Sequence, residues 1–404
     1  MAARHLNPES RWMLALLAAL VALGPLTVDM YLPAMPNLMR AFDTNIPLMQ
    51  LTLSSYLAGF AIFHLVCGPL SDRYGRRPIL MGGVFLFVAA SIGCSVSQNI
   101  EEMLAFRFLQ GVGACVGPTL ARAVARDLFD PSGVARALSL IAMLMALAPA
   151  IAPVAGGMML LILPWPSIFL FLALYGAVMI VLIYLFLRES LPEVQSLHPR
   201  QIMRNFSELL VDPFFLTVTV CSAMAYSVMM AYLASSSFVF IDMLGVSPQY
   251  YGFIFLATVA GYMAGSALSA RLSGDRDSEW IMLLGVVVGM FGSVFMLLAW
   301  IIWPTSVLAL MLPMTLNAIA LGLVLPQAMT IALRPFPHIA GTASALLGFI
   351  QMGISAIASG FTGLFLTTTP APMVWTMFAL SVASLFLGWR THRLYISSKP
   401  RPSM

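Results

Sequence analysis

Two charged side chains stand deep in apolar sequence. From Trp12 to Leu32 the single acidic or basic residue is Asp29, in Val28-Asp29-Met30-Tyr31-Leu32-Pro33 among Leu, Ala, Val and Gly. A carboxylate at membrane depth costs roughly 2.5 kcal/mol or more unless it faces the protein interior, finds a partner or takes up a proton. Arg107 is its counterpart, inside a later apolar run. Counted from the ends of those runs, each lies about five residues, or roughly 8 Å, inside the same boundary. Burial favours the neutral acid and a nearby guanidinium favours the carboxylate. A conformational change that alters either influence makes Asp29 a group that takes a proton on one side of a membrane and releases it on the other. His64, in the following run, is the rival titratable group.

The elements that hold these residues are membrane helices. Of the 404 residues 60% are hydrophobic and 9% charged, whereas soluble domains carry about 25% charged residues. Runs of bilayer-crossing length recur at 12–34, 47–70, 78–98, 102–125, 136–161, 165–187, 212–237, 249–272, 279–303, 305–330, 341–366 and 371–390. They predict an all-α polytopic membrane protein with twelve transmembrane helices. Arg4 and Arg11 before the first run mimic a secretory signal, but the missing small-residue cleavage site and the many later spans predict a retained helix. Pro25, Pro149, Pro153 and Pro326 are expected to bend helices.

Several functions are excluded by the same reading. Cys67, Cys94, Cys115 and Cys221 lie in or beside apolar runs without paired spacing, so neither a metal site nor a disulfide framework is indicated. The net charge of +4 comes from basic residues scattered over many loops, which argues against a nucleic-acid partner. Nucleophile–base spacing and a phosphate-binding Gly-x-x-x-x-Gly-Lys-Ser/Thr loop are missing, so the chain is not read as an enzyme or ATPase. An ion gradient is the implied energy source, with no cofactor.

The polar interval from Arg188 to Asp212 divides the spans six and six. Expected domains are therefore 1–187, an N-terminal bundle; 188–211, a cytoplasmic linker; and 212–404, a C-terminal bundle with a tail. All of the 20 Lys and Arg except Arg40 and Arg107 are read at the termini, or in the closing turns of even-numbered spans and the loops after them. That asymmetry predicts cytoplasmic termini and linker. A single chain supplies both halves of a cavity, so a monomer is expected.

Between the second and third spans runs Gly68-Pro69-Leu70-Ser71-Asp72-Arg73-Tyr74-Gly75-Arg76-Arg77-Pro78. Gly68 and Gly75 permit a tight turn, Asp72 can accept from a helix N-terminus or an arginine, and the arginines suit an interface. This stretch resembles the loop between the second and third helices of the major facilitator superfamily. Arg107-Phe108-Leu109-Gln110-Gly111-Val112-Gly113-Ala114 resembles that superfamily's fourth-helix motif. Ala148-Pro149-Ala150-Ile151-Ala152-Pro153-Val154-Ala155-Gly156-Gly157 resembles the fifth-helix motif of its drug:proton antiporters, with Ala148 and Ala152 where the motif usually has Gly. Asp29 to Ala34, Arg122 to Leu128 and Phe336 to Leu346 are similar to the bicyclomycin-resistance (Bcr/CflA) subfamily. Ala270-Arg271-Leu272 through Arg276 is a degraded second copy of the loop.

The resemblance implies two six-helix bundles around a central cavity and proton-driven export of small amphipathic drugs across a bacterial inner membrane. Asp29 and Arg107 are expected to couple protons. Gly68, Asp72, Arg73, Gly75, Arg76 and Arg126 form the conformational-switch motif, and Pro149, Pro153, Gly156 and Gly157 the antiporter motif. Substrate contacts are expected from Tyr31, Tyr56, Tyr226, Met230, Asn317 and Gln351, because Met and aromatic side chains suit irregular apolar ligands. Ser344, Gly348, Gln351 and Ser355 share one helix face. A dedicated metabolite or siderophore exporter is the nearest alternative. A non-transporting receptor is disfavoured by the twofold organisation and the intramembrane charges.

Overall fold

The computed structural model describes residues 11–129, 147–191 and 199–398, and regular structure within them is helical throughout. α1 (Arg11–Asp29) is followed by a 3₁₀ turn (Leu32–Ala34) and the short α2 (Met35–Ala41), which together make the first membrane-length segment, Trp12–Ala41. Next come α3 (Ile46–Tyr74), α4 (Arg76–Val96), and α5 (Ile100–Ala114) running on as α6 (Val116–Leu128). Then follow α7 (Leu147–Met159) and α8 (Pro166–Phe186). Beyond them lie α9 (Pro199–Val211), α10 (Pro213–Ser237) with a π-helical end (Phe238–Met243), and α11 (Pro248–Leu272). α12 (Ser278–Ile302), α13 (Val307–Leu333), α14 (Ala340–Phe365) and α15 (Ala371–Ser398) complete the chain. Among the described residues eleven helical segments are long and apolar enough to cross a bilayer, and α7 is a shorter apolar helix.

The helix ends follow local chemistry. Asn45 and Asn99 cap α3 and α5 by accepting from Leu48 N and Glu102 N, and the Glu102 carboxylate reaches back to Gln98 N. Asp212 Oδ1 accepts from Phe215 N at 2.6 Å, starting α10 one residue after α9 ends. Side chains such as Ile162, Phe291 and Phe85 project outward. Lipid is the solvent that tolerates such a surface.

By contacts the chain forms two compact units: one is Met1–His198 with Ser236–Phe255, the other Pro199–Ser235 with Leu256–Met404. Residues 236–255 follow the expected interval 188–211 in sequence yet pack with the first unit. Pro248 and Gly252 lie against Gly157 and Val154 of α7, and Arg40 pairs with Asp242 at 3.2 Å. Within each unit a pair of glycines brings two helix backbones together. Gly59 and Gly111 do so for α3 and α5, and Gly265 and Gly322 do so for α11 and α13.

Several boundaries differ from expectation. The first segment continues past residue 34, because Pro33 and Pro36 sit in opening turns of new helices, where a missing N–H does no harm. Arg40 is thus in the last turn of α2 rather than in a loop. Arg122 and Arg126 lie on α6, not in the loop after it. The interval 188–211, read as linker, contains α9. Residues 136–146 of the expected fifth span lie outside the described residues.

Candidate functional site

Arg107 is fully buried two turns into α5. Its Nη1 donates to Gln110 Oε1 at 2.6 Å and to the Thr27 carbonyl of α1 at 3.5 Å. Gln110 Nε2 donates to Ser91 Oγ at 2.8 Å, tying the guanidinium to α4. The guanidinium carbon lies 4.5 Å from the Tyr31 ring centroid and 4.6 Å from that of Tyr56. Each cation–π contact is worth about 2 kcal/mol when desolvated. Arg107 Nε and Nη2 have no acceptor among the described residues, and no carboxylate there forms an ion pair with it. A buried N–H without an acceptor costs about 1–3 kcal/mol, more when charged. The site holds donors in reserve.

Asp29 is the last residue of α1 and is 5% exposed. Its carboxylate makes no hydrogen bond or ion pair among the described residues. A negative charge there also meets the negative end of its own helix dipole. The helix break begins at the next residue, and α7 lies against it: a Cβ on Gly156 would collide with the Met30 carbonyl. Asp29 and Arg107 form no direct ion pair among the described residues. Arg107 instead reaches the carbonyl of Thr27, two residues upstream. The depth match also shifts, because the first segment runs on to Ala41 beyond the break. An acid unbonded among the described residues and a base with spare donors therefore adjoin the same stretch of α1.

The motif between α3 and α4 closes into a compact ionic cluster. α3 runs through Gly68 and Pro69 to Tyr74, and Gly75 reverses the chain at φ +99°. Arg76 pairs with Asp72, donates from Nε to Asp127 Oδ2 at 3.0 Å, and donates from Nη1 to Ser71 Oγ at 2.6 Å. The Glu189 carboxylate caps α4, accepting from Arg76 N at 2.8 Å and Arg77 N at 3.2 Å. Arg73 is exposed and its guanidinium lies 5.6 Å from the Tyr74 ring centroid. Arg126 is exposed and makes no polar contact among the described residues; its neighbour Asp127 is the α6 residue that meets Arg76. Arg76→Ala is expected to cost about 3 kcal/mol by stranding partly buried carboxylates, whereas Arg126→Ala should stay within about 0.5 kcal/mol. Thermal unfolding of the purified variants checks this, and equal losses would remove the distinction.

The other expected residues divide by environment. Tyr31 and Tyr56 are buried against Arg107, with the Tyr31 hydroxyl 2.5 Å from Thr52 Oγ1. Pro153, Gly156 and Gly157 are buried and Pro149 is half-buried; Gly157 lies against the Pro248 carbonyl. His64 Nδ1 lies 3.0 Å from Thr119 Oγ1 and 3.6 Å from Cys115 Sγ, and its ring stacks on Phe60. In the second unit Asn317 is a clamp between helices. Its Nδ2 donates to Pro313 O at 3.1 Å, and its Oδ1 accepts from Ser293 Oγ at 3.1 Å. The cavity it borders, with Gly289, Val286 and Ser381, offers about 20 Å³ to the centre of a water-sized sphere, enough for one water rather than a drug. Tyr226 is half-buried and Met230 buried on α10. Gln351 is half-buried one turn before Ser355, whose hydroxyl lies 3.0 Å from Ser227 Oγ of α10. This hydroxyl contact links the two helices.

Gln110, Ser91, Asp127 and Glu189 complete the clusters and were not among the expected residues. Gln110 sits at i+3 from Arg107, a spacing that marks a same-face partner. For Glu189 the signal was a carboxylate just past an apolar run.

The model of the Major Facilitator Superfamily matches residues 14–360. The uncharacterized MFS-type transporter YdgK of Bacillus subtilis is 34% identical over 93% of this chain and 95% of its own length. The bicyclomycin resistance protein homolog of Haemophilus influenzae is 26% identical over 91% and 93%. The multidrug resistance protein MdtL of Shigella dysenteriae is 30% identical over 83% and 84%. A bacterial homolog of the human lysosomal transporter Spinster, 15% identical, has the same fold with a TM-score of 0.76 over 98% of this chain and all of its own. Motifs, helical fold and full-length relatives agree: the chain belongs to the major facilitator superfamily.

Proposed function

We propose that this transporter is a proton-coupled antiporter that exports small amphipathic drugs across a bacterial inner membrane by alternating access. The observation that carries the reading is the pair of groups left uncompensated among the described residues: the buried Asp29 carboxylate, which no partner there meets, and Arg107, with two donors unused. Such an arrangement is costly as it stands, and a proton on Asp29 or a carboxylate swung onto Arg107 relieves it. The two states have different proton affinities, and a substrate that prefers one of them shifts the shared equilibrium. The names of the bicyclomycin- and multidrug-resistance relatives support drugs as the cargo. The spread of basic residues supports cytoplasmic termini. The energy source is the proton gradient, with no cofactor, and the working unit is the monomer.

The test is transport by the purified protein in liposomes with an imposed pH gradient, across a panel of bicyclomycin-like, cationic and phenicol drugs and polar metabolites. Drug movement against its gradient that is abolished by a protonophore, with protons counter-moving, supports the proposal. Movement of one metabolite or siderophore class alone favours the dedicated exporter. Drug movement indifferent to the proton gradient overturns the coupling.

A further inference from the structure

α9 carries a surface that the transport reading leaves unused. Ile202 and Phe206 are half-buried and Leu209 is fully buried on one face of α9, which packs against α14 in the same unit. Met203 and Leu210, one α-helical repeat of seven apart, extend the apolar arc beyond that contact and are exposed, as is Val211. Arg200 and Arg204 border the exposed arc. Neither forms an ion pair among the described residues, whereas Glu208 lies 3.5 Å from His338 Nε2.

Position decides what covers this face. Asp212 alone separates the end of α9 from the membrane-length segment Pro213–Met243, and its side chain caps that segment's first turn. The last turn of α9 is therefore held at the edge of the hydrocarbon. A helix there, with uncovered apolar side chains beside arginines that form no ion pair among the described residues, has the make-up of an interfacial helix. We propose that α9 lies on the bilayer surface, with Met203, Leu210 and Val211 among the upper acyl chains and Arg200 and Arg204 on the phosphates of anionic lipid headgroups. Each arginine at an anionic surface strengthens binding about five-fold, an effect that salt weakens. The proposal rests on the chain crossing a bilayer, not on the direction or coupling of transport.

The test uses full-length protein in nanodiscs of phosphatidylcholine alone or mixed with phosphatidylglycerol. Spin labels are placed by Met203→Cys and, as a water-facing reference on the same helix, Gln201→Cys. The native Cys67, Cys94, Cys115 and Cys221 are buried, and labelled wild type gives their background. Relative accessibility to oxygen and to a polar nickel complex reports depth. The label at 203 is expected at acyl depth in anionic discs and shallower in neutral ones, with the label at 201 aqueous in both. Arg200→Gln with Arg204→Gln is expected to lower the inserted-to-free ratio of α9 by about five-fold per arginine in anionic discs. Its thermal unfolding in detergent is expected to match the wild type. A label at 203 that stays aqueous in both compositions overturns the proposal and leaves the face to a protein partner. Equal depth in neutral and anionic discs also overturns it, by removing the headgroup contact. Loss of proton coupling with lipid-dependent depth intact would count against the transport reading alone.

Discussion

Asp29→Asn is expected to keep its fold and lose proton-driven export. The substitution preserves shape and removes the ionisable group from a position that is 5% exposed and has no bonded partner among the described residues. A neutral side chain there avoids the roughly 2.5 kcal/mol or more that an intramembrane carboxylate costs, so expression and thermal unfolding should equal or exceed the wild type. Coupling free energies between ligands run at about 1–3 kcal/mol, or 5–150-fold, and uphill drug transport should fall by that order. The sign in binding assays follows from antiport. Proton and drug favour opposite states, so wild-type drug affinity rises as pH rises and Asp29 releases its proton, while Asp29→Asn binds with an affinity indifferent to pH. Unaltered proton-coupled export by Asp29→Asn would move the proton site elsewhere, with His64 next to be tested by His64→Ala.

The residues legible from sequence are those whose cost betrays them. Asp29 and Arg107 stand out because charge in apolar sequence is rare, and Gly75 because the turn after α3 requires positive φ. Less legible are contacts set by how each helix is rotated about its axis. Tyr31 and Tyr56 read as polar tips toward a drug; that both rings flank Arg107 is what the sequence does not show. Asn317 reads as a pocket residue and does border a small cavity, but the hold of Ser293 and the Pro313 carbonyl on its amide is not visible in the sequence. One position along α6 separates Arg126, exposed to solvent, from Asp127, which meets Arg76; a step of about 100° around the helix makes that difference. α9 is hidden in the sequence because its charges read as linker, although Ile202, Phe206 and Leu209 already recur at helical spacing. Helices and their order follow from hydropathy; partners require the packed units.

Arg107→Met is the substitution that separates function from packing at the site. Methionine retains much of the unbranched stem between Tyr31 and Tyr56 and carries no charge. It forfeits two cation–π contacts and the bond to Gln110, and also removes a buried cation with two unused donors. Replacing buried charge by an apolar side chain of similar volume is often neutral or stabilising by about 1–4 kcal/mol. The midpoint of thermal unfolding should therefore hold or rise. Arg107→Ala should lower it, through a loss of about 3 kcal/mol for the cavity left between the rings. Arg107→Lys keeps the charge but not the flat group that lies between two aromatic faces, and is expected to retain part of the activity. If the guanidinium is the alternative partner of Asp29, Arg107→Met loses export while its stability stands. Should Met and Ala instead lose stability in parallel, with export falling only as folded protein is lost, Arg107 is a packing residue, and Asp29 must then change its proton affinity against some other group.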